Sequence, residues 1–384
     1  MTEVDLYNLE PALAFMGVGL LVAGLPLTWF WLRHREASAG RRLQALTMLT
    51  LTLTFELVLV GAFTRLTDSG LGCPDWPGCY GSASPLGAAQ HITAAQTAMP
   101  TGPVTHSKAW IEMVHRYMAT GVGVLIITLT AMTWRAWRRD RQHTVHPVWP
   151  AITLVWVCLQ GAFGALTVTM KLFPAIVTLH LLLAIGLLAL LALQAVRYEG
   201  WQTVSVSPAQ RAGLWVALVL LALQVALGGW VSTNYAVLAC SDFPTCQGQW
   251  WPEMDWSGFV LWRALGHGAD GQPLPFAALA SIHYVHRCMA WLVLAVLLAL
   301  GWRLRAVPGL HKPARALLGL AGLQFLTGLS NVVLDWPLVA AVLHTGGASA
   351  LTVTLVWMLA LSRSATFVSQ ASGLQLSDPS RPVA

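Results

Sequence analysis

The sequence predicts an all-α polytopic membrane protein, built from two tandem four-helix bundles and one extra N-terminal helix. Of its 384 residues, 56% are hydrophobic and only 10% are charged, whereas soluble globular domains carry about 25% charged residues. The apolar residues fall into nine long runs. The second half of the chain also repeats the order of apolar runs, cysteines and histidines found in the first.

The nine apolar runs are predicted to be membrane-spanning helices. A spanning helix needs about 20 apolar residues, and the runs are too long for the strands of a membrane barrel. The predicted spans are 11–32, 43–65, 110–134, 149–170, 174–196, 211–233, 281–302, 315–334 and 338–361. Because the acidic N-terminus lacks the basic region of a signal peptide, the first run is predicted to be a retained helix.

The charged residues predict how the chain is oriented. Basic side chains cluster at 33–42, 135–143 and 303–315, whereas the loops 66–109 and 234–280 carry six acidic residues and few basic ones. Basic loops stay in the cytoplasm, so the acidic loops and the N-terminus are predicted to lie outside and the C-terminus inside. The net charge of +6 is spread over short clusters, which argues against a nucleic-acid partner.

Two outer loops carry paired cysteines, in the segments CPDWPGC (73–79) and CSDFPTC (240–246). Disulfides persist in an oxidising compartment, so bridges within each loop are favoured, with free thiols or a metal site as alternatives. The four cysteines are Cys73, Cys79, Cys240 and Cys246. Cys158 and Cys288 lie within predicted spans, where they are expected to be small core residues.

Matching segments show that four helices have been duplicated. LQGAFGALTV (159–168) matches LQFLTGLSNV (323–332), and EMVHRYMA (112–119) matches HYVHRCMA (283–290). Both copies enter the membrane from the same side, which predicts two bundles related by an axis along the membrane normal. The predicted divisions are 1–42 for the extra helix and its loop, 43–200 and 201–363 for the bundles, and 364–384 for a cytoplasmic tail.

Four histidines occupy matched positions inside the predicted spans: His115, His180, His286 and His344. Histidines within a membrane are costly and usually functional. Each lies five or six residues inside the outer end of its predicted span, roughly 8 Å deep at the helical rise. Two imidazoles facing each other in a bundle core would form a bis-histidine haem site, so two sites are predicted. A zinc site lacks further ligands at that depth.

The two halves differ beside the first histidine of each pair. Glu112 precedes His115 by three residues, whereas the matched position holds His283. A carboxylate beside one site alone favours catalysis there, although it could instead cap its helix. Arg116 and Arg287 follow the histidines; each is predicted to contact a haem propionate or to reach the outer interface.

These motifs resemble the haem A synthase family. The resemblance rests on GAFTRLTDSGLGCPDWPGCYG (61–81), IEMVHR (111–116) and the later histidines, and it covers residues 43–361. It implies a haem-dependent oxidoreductase acting on a CH group, which converts a ring methyl of haem O to a formyl group and gives haem A for a terminal cytochrome oxidase. The helix at 11–32 exceeds the family's eight-helix core, and the second cysteine loop is looser than the first.

The resemblance also implies roles for single residues. His286 and His344 would ligate a haem b cofactor in the C-terminal bundle, and His115 and His180 would hold the substrate haem O. Glu112 would be the essential carboxylate. The implied location is the bacterial inner membrane, and the implied partners are lipid, a haem O synthase, oxidase assembly factors and an electron acceptor that the sequence does not identify.

Three other functions are compatible with parts of the sequence. A di-haem electron-transfer cytochrome b would need symmetric sites and no Glu112. A haem carrier would hold one exchangeable haem and leave the porphyrin unchanged. A disulfide-exchange protein would usually carry a C-x-x-C pair, and it would leave the four histidines unexplained.

Overall fold

The computed structural model describes residues 10–141, 145–198 and 202–364. In that part of the chain, nine helices are long and apolar enough to cross a membrane, as predicted. The elements are α1 (Glu10–His34), α2 (Ala39–Leu66), α3 (Ala89–Ala98), α4 (His106–Arg139), α5 (Val148–Thr169), α6 (Pro174–Tyr198), β1 (Val204–Val206), α7 (Pro208–Thr233), α8 (Phe276–Leu304), α9 (His311–Val333), α10 (Leu338–Leu361) and β2 (Ser362–Ser364). Residues 1–9 and nearly all of the predicted tail, 365–384, lie outside the described residues.

Four helices, α2, α4, α8 and α9, begin four or five residues before their predicted spans. The Thr105 side chain accepts a hydrogen bond from the backbone amide of Lys108 at 3.2 Å, so α4 begins at His106 rather than at the predicted residue 110. Such a cap satisfies an amide that the helix itself leaves unpaired. Helix α8 likewise begins at Phe276 rather than at residue 281. Hydropathy identifies only the apolar part of a helix, which crosses lipid. These helices begin in the polar sequence before that part, so hydropathy places their first residues too late.

The spanning helices form two rings of four. In the first ring α2, α4, α5 and α6 each pack against the next, and α6 closes the ring on α2. Helices α7, α8, α9 and α10 form the second ring in the same order. The rings meet where α10 packs against α2 and α6, and where α6 packs against α7. This is the predicted pair of bundles, and the residue at which the halves divide stays a prediction.

The extra helix α1 packs along α4. The rings of Phe15 and Tyr117 lie 5.5 Å apart, and Gly19 lies directly against Thr120, with no room for a side chain between them. Near the other end of α1, Phe30 is fully buried in the core that also contains Leu43. Helix α1 is therefore an integral part of the N-terminal half.

A short pair of strands joins the middle of the chain to the end of α10. Strand β1 pairs in parallel with β2, with Val204 opposite Ser362. The Arg211 side chain, in the first turn of α7, donates a hydrogen bond to the backbone oxygen of Ser362. The segment that links the two rings is thus fixed to the end of the last spanning helix.

The prediction that Cys158 and Cys288 are core residues is wrong. Both are free thiols at the surface of the helix assembly. A small apolar side chain is equally compatible with lipid and with a protein core, so hydropathy does not distinguish the two faces of a spanning helix.

Candidate functional site

The four predicted histidines lie on four different spanning helices, in two pairs. His115 is on α4 and His180 on α6, whereas His286 is on α8 and His344 on α10. The His115 imidazole is close enough to that of His180 to interact with it electrostatically, and His286 interacts with His344 in the same way. Each ring of helices therefore contains one pair of imidazoles.

Each imidazole packs against a glycine on the spanning helix that precedes its own. A Cβ atom at Gly61, Gly164, Gly228 or Gly328 would lie 2.9, 3.2, 3.1 or 3.3 Å from Cε1 of His115, His180, His286 or His344, respectively. Separations this short leave no room for a side chain unless the imidazole moves. These glycines therefore help to fix where each ring can lie.

Three of these glycines are preceded, one helical turn earlier, by a glutamine that reaches the same histidine. The amide nitrogen of Gln224 lies 3.1 Å from Nδ1 of His286, and that of Gln160 lies 3.5 Å from Nε2 of His180. Gln324 donates to the backbone oxygen of His344 at 2.8 Å. The sequence contained a signal for these residues, because the repeated segments at 159–168 and 323–332 both begin LQ and place a glycine four residues after the glutamine.

Unpaired polar atoms concentrate around the histidines. In the described ranges, eight buried side-chain nitrogen or oxygen atoms have no hydrogen-bond partner. Four of them belong to this region: Nδ1 of His115, Oε1 of Gln160, Nδ1 of His180 and Oε1 of Gln224. Buried polar groups normally have partners, so these atoms indicate a site shaped to receive a further group.

A haem fits this donor set. Its macrocycle supplies four equatorial nitrogens, so two imidazoles complete the coordination of the iron. An imidazole that binds iron through one nitrogen carries a proton on the other, which a carbonyl oxygen can accept. The unpaired Oε1 atoms of Gln160 and Gln224 are acceptors of that kind.

Glu112 is turned toward the first cysteine loop. It is only 3% exposed, its Oε2 accepts a hydrogen bond from the backbone amide of Cys73 at 2.8 Å, and its Oε1 pairs with the guanidinium of Arg116. In the second half, the amide of Cys240 donates to Nδ1 of His283 at 3.3 Å. The two matched positions therefore share one structural task, which is to accept the amide of the first cysteine.

Arg116 and Arg287 contact the cysteine loops. Arg116 donates to the backbone oxygens of Asp75, Pro77 and Gly78 at 2.9, 3.1 and 2.6 Å. Arg287 donates to the backbone oxygens of residues 242 and 245 at 2.7 and 3.2 Å. Each arginine thus binds its loop to the helix that carries the histidine, and contact with a haem propionate stays a prediction.

Both predicted disulfides are present. Cys73 is bonded to Cys79 and Cys240 to Cys246, and all four side chains are buried. The loops lie beside α4 and α8 at the level of the glutamate and histidine that accept the cysteine amides. The bridges therefore close the two loops against the helices that carry His115 and His286.

An aspartate stabilises the turn that follows each disulfide. Asp75 accepts hydrogen bonds from the amides of residues 80–81 at 2.6 and 2.7 Å, and Asp242 accepts from those of residues 247–248 at 2.8 and 3.1 Å. The Thr245 hydroxyl and then these amides hold the pKa of the partly exposed Asp242 carboxyl below its usual range. Sequence reasoning gave the aspartates no role, although both repeats share the pattern C-x-D-x-P-x-C.

Comparison with known proteins gives a consistent result. Residues 44–356 match the model of the COX15-CtaA family, described as cytochrome oxidase assembly protein. A protein of Shewanella oneidensis named heme A synthase is 37% identical over 315 residues, which is 81% of this chain and 94% of that protein. Proteins of the same name from Halalkalibacterium halodurans and Rhodospirillum centenum are 27% and 28% identical over 79% and 86% of this chain, and over 91% of each relative.

Proposed function

The chain belongs to the haem A synthase family, and we propose that it oxidises a ring methyl of haem O to a formyl group by means of a second, resident haem b. The conversion of methyl to formyl removes four electrons and adds one oxygen atom. Protein side chains do not have the redox potential to oxidise a methyl C–H bond, so a cofactor must accept the electrons. A haem b held between His286 and His344 would supply an iron that accepts and passes on single electrons.

The substrate haem O is assigned to the N-terminal ring, between His115 and His180. The support is the difference between the halves, because Glu112 stands there where the C-terminal half has His283. A buried carboxylate can take the proton from water or from the hydroxylated substrate, or it can stabilise developing positive charge. Arg116 holds Glu112 in position beside the cysteine loop.

The membrane gives this chemistry its surroundings. We place the protein in a bacterial inner membrane, with the cysteine loops outside and the arginine-rich loops in the cytoplasm. A site open to lipid would suit the long apolar tail of haem O. A haem O synthase would supply the substrate, oxidase assembly factors would receive the product, and a separate acceptor would remove the electrons.

The observation that carries this proposal is the pair of imidazoles in each ring, each packed against its own glycine. The test is to express the full chain in a host that makes haem O, extract the haems and identify them by mass. Haem A or its hydroxylated precursor is the expected product. Recovery of haem B and haem O alone would overturn the proposal, and a cytochrome or a carrier would then be the better reading.

A further inference from the structure

The four imidazoles differ in their hydrogen-bonding neighbours. We propose that this difference makes the C-terminal site retain its haem and the N-terminal site release it. Three imidazoles have a polar neighbour on the preceding helix, whereas Leu57 occupies that position for His115. His115 is thus inferred to be the ligand that detaches when substrate enters and product leaves. This inference rests on the proposed function, because it assumes that the N-terminal ring holds the substrate.

The C-terminal histidines are well held. The amide nitrogen of Gln224 lies 3.1 Å from Nδ1 and 3.4 Å from Nε2 of His286, and it also donates to the backbone oxygen of that residue at 3.2 Å. The Thr327 hydroxyl lies 2.9 Å from Nδ1 of His344. Gln324 fixes the same turn of α10 through the His344 backbone oxygen. Each C-terminal imidazole therefore has beside it a side-chain oxygen that can accept the proton of its second ring nitrogen once the other nitrogen binds iron: the unpaired Oε1 of the Gln224 amide for His286, and the Thr327 hydroxyl for His344.

The N-terminal histidines are held less well. Gln160 approaches Nε2 of His180 only to 3.5 Å, which is beyond the usual range of a hydrogen bond. Within the described residues, Nδ1 of His115 is buried and has no partner. The position that would provide one, four residues before Gly61, holds Leu57, whose side chain neither donates nor accepts.

Hydrogen bonds to a ligating imidazole control how firmly it binds iron. A partner for the second ring nitrogen fixes the ring orientation and raises the basicity of the ligand, and its loss typically costs about 10–100-fold in metal affinity. Nδ1 of His115 and Nδ1 of His180 both lack a partner, but only His115 has no glutamine on the preceding helix whose oxygen could accept its proton. It should therefore be the weakest of the four ligands. A resident cofactor must stay bound through many turnovers, whereas a substrate and its product must leave. The C-terminal ring, whose histidines are held more firmly, suits the cofactor, and the N-terminal ring suits the substrate.

Two reciprocal substitutions test the inference. The full chain is purified with haem B, titrated with haem O and mixed with excess apomyoglobin as acceptor, and the departing haem is identified by mass. In the unaltered protein, haem O should leave first. Leu57→Gln should slow that release about 10-fold or more, and Gln224→Leu should speed the loss of haem B about 10–100-fold, the range expected for a lost partner of a ligand.

A matched control separates hydrogen bonding from packing. Leu57→Met keeps an apolar side chain of similar volume, so it should leave haem O release unchanged. Gln224→Leu should also raise the midpoint potential of the resident haem, because it removes the Oε1 that can accept the proton of the iron-bound His286 imidazole, and an imidazole without that acceptor is a weaker electron donor. This change would be seen even if Leu57→Gln failed to fold.

The outcomes are distinguishable from failure of the proposed function. Release and potential are measured without turnover, whereas the proposed function is judged by haem A formation. Equal release of both haems in the unaltered protein, or rates and potential that neither substitution changes, would overturn the inference while leaving the enzymatic assignment intact. Release of haem B before haem O would overturn it as well.

Discussion

The backbone amide of Cys73 donates a hydrogen bond to Oε2 of Glu112 across 2.8 Å, which connects the first disulfide loop to α4 one helical turn before His115. Arg116 completes the connection, since it pairs with Glu112 and donates to backbone oxygens of the same loop. The loop, the carboxylate and the histidine therefore form one structural unit. A substitution in any one of the three should therefore alter the position of the other two.

Replacing Glu112 should separate its structural task from its chemistry. Glu112→His supplies the acceptor that the C-terminal half uses for Cys240, so the loop should stay in place while the carboxylate is lost. Haem A formation should fall at least about 100-fold, the effect of losing a positioned acid–base group, and haem B should stay bound. Haem extraction and mass analysis measure both quantities.

The control for this prediction is Glu112→Ala, which removes both the carboxylate and the acceptor. It should lose activity and also loosen the loop, seen as faster proteolysis between residues 73 and 81. Near-normal haem A formation in Glu112→His would show that Glu112 serves only to hold the loop.

The first disulfide should be needed in the N-terminal half alone. Cys73→Ala frees the loop that Glu112 and Arg116 hold, so haem A formation or assembly of the protein should decrease. The haem assigned to His286 and His344 should remain, because the other half has its own bridge, Cys240–Cys246. Absorbance spectra of the purified variant report the retained haem. Its loss would contradict the independence of the two loops.

Substitutions in the two histidine pairs should have different effects on haem content and on haem A formation. His286→Ala or His344→Ala should remove the resident haem B, since each takes away an axial ligand. His115→Ala or His180→Ala should keep haem B and reduce haem A formation at least about 100-fold, the scale of a lost positioned catalytic group. The haem content per protein and the extracted haems are the measurements. Loss of haem B from the His115 variant would reverse the assignment of the two sites.

The glycine behind each imidazole should tune its position. In Gly328→Ala the new methyl would lie 3.3 Å from Cε1 of His344, so the ring must shift and haem B retention should fall about 10-fold, the lower end of the effect of disturbing a ligand's surroundings. Electron paramagnetic resonance of the oxidised haem should change with the ring orientation.

Gly322→Ala is the matched control, because Gly322 lies on the same helix and a Cβ atom there would meet no side chain and no other helix within 4 Å among the described residues. Alanine favours a helix over glycine by about 1 kcal/mol at either site, so that effect cancels in the comparison. Equal haem retention and equal spectra in the two variants would show that the glycine does not constrain the imidazole.

The sequence by itself determined the spanning helices, the duplication and the four histidines that lie in pairs in the two rings. A bilayer demands long apolar helices, and a duplicated unit repeats its cysteines and histidines at nearly constant spacing. The pattern thereby placed His115 and His286 in matched positions, and it favoured the bond between Cys73 and Cys79 that the structure contains.

The tertiary structure alone decided which way side chains turn and what they touch. Hydropathy does not say which face of a helix meets lipid, because lipid and the protein core are equally apolar; Cys158 was misplaced for that reason. The contact between Glu112 and Cys73 joins residues 39 positions apart, and the packing of α1 on α4 joins still more distant ones. Such contacts depend on how each helix is rotated against its neighbours, which only the packed assembly fixes.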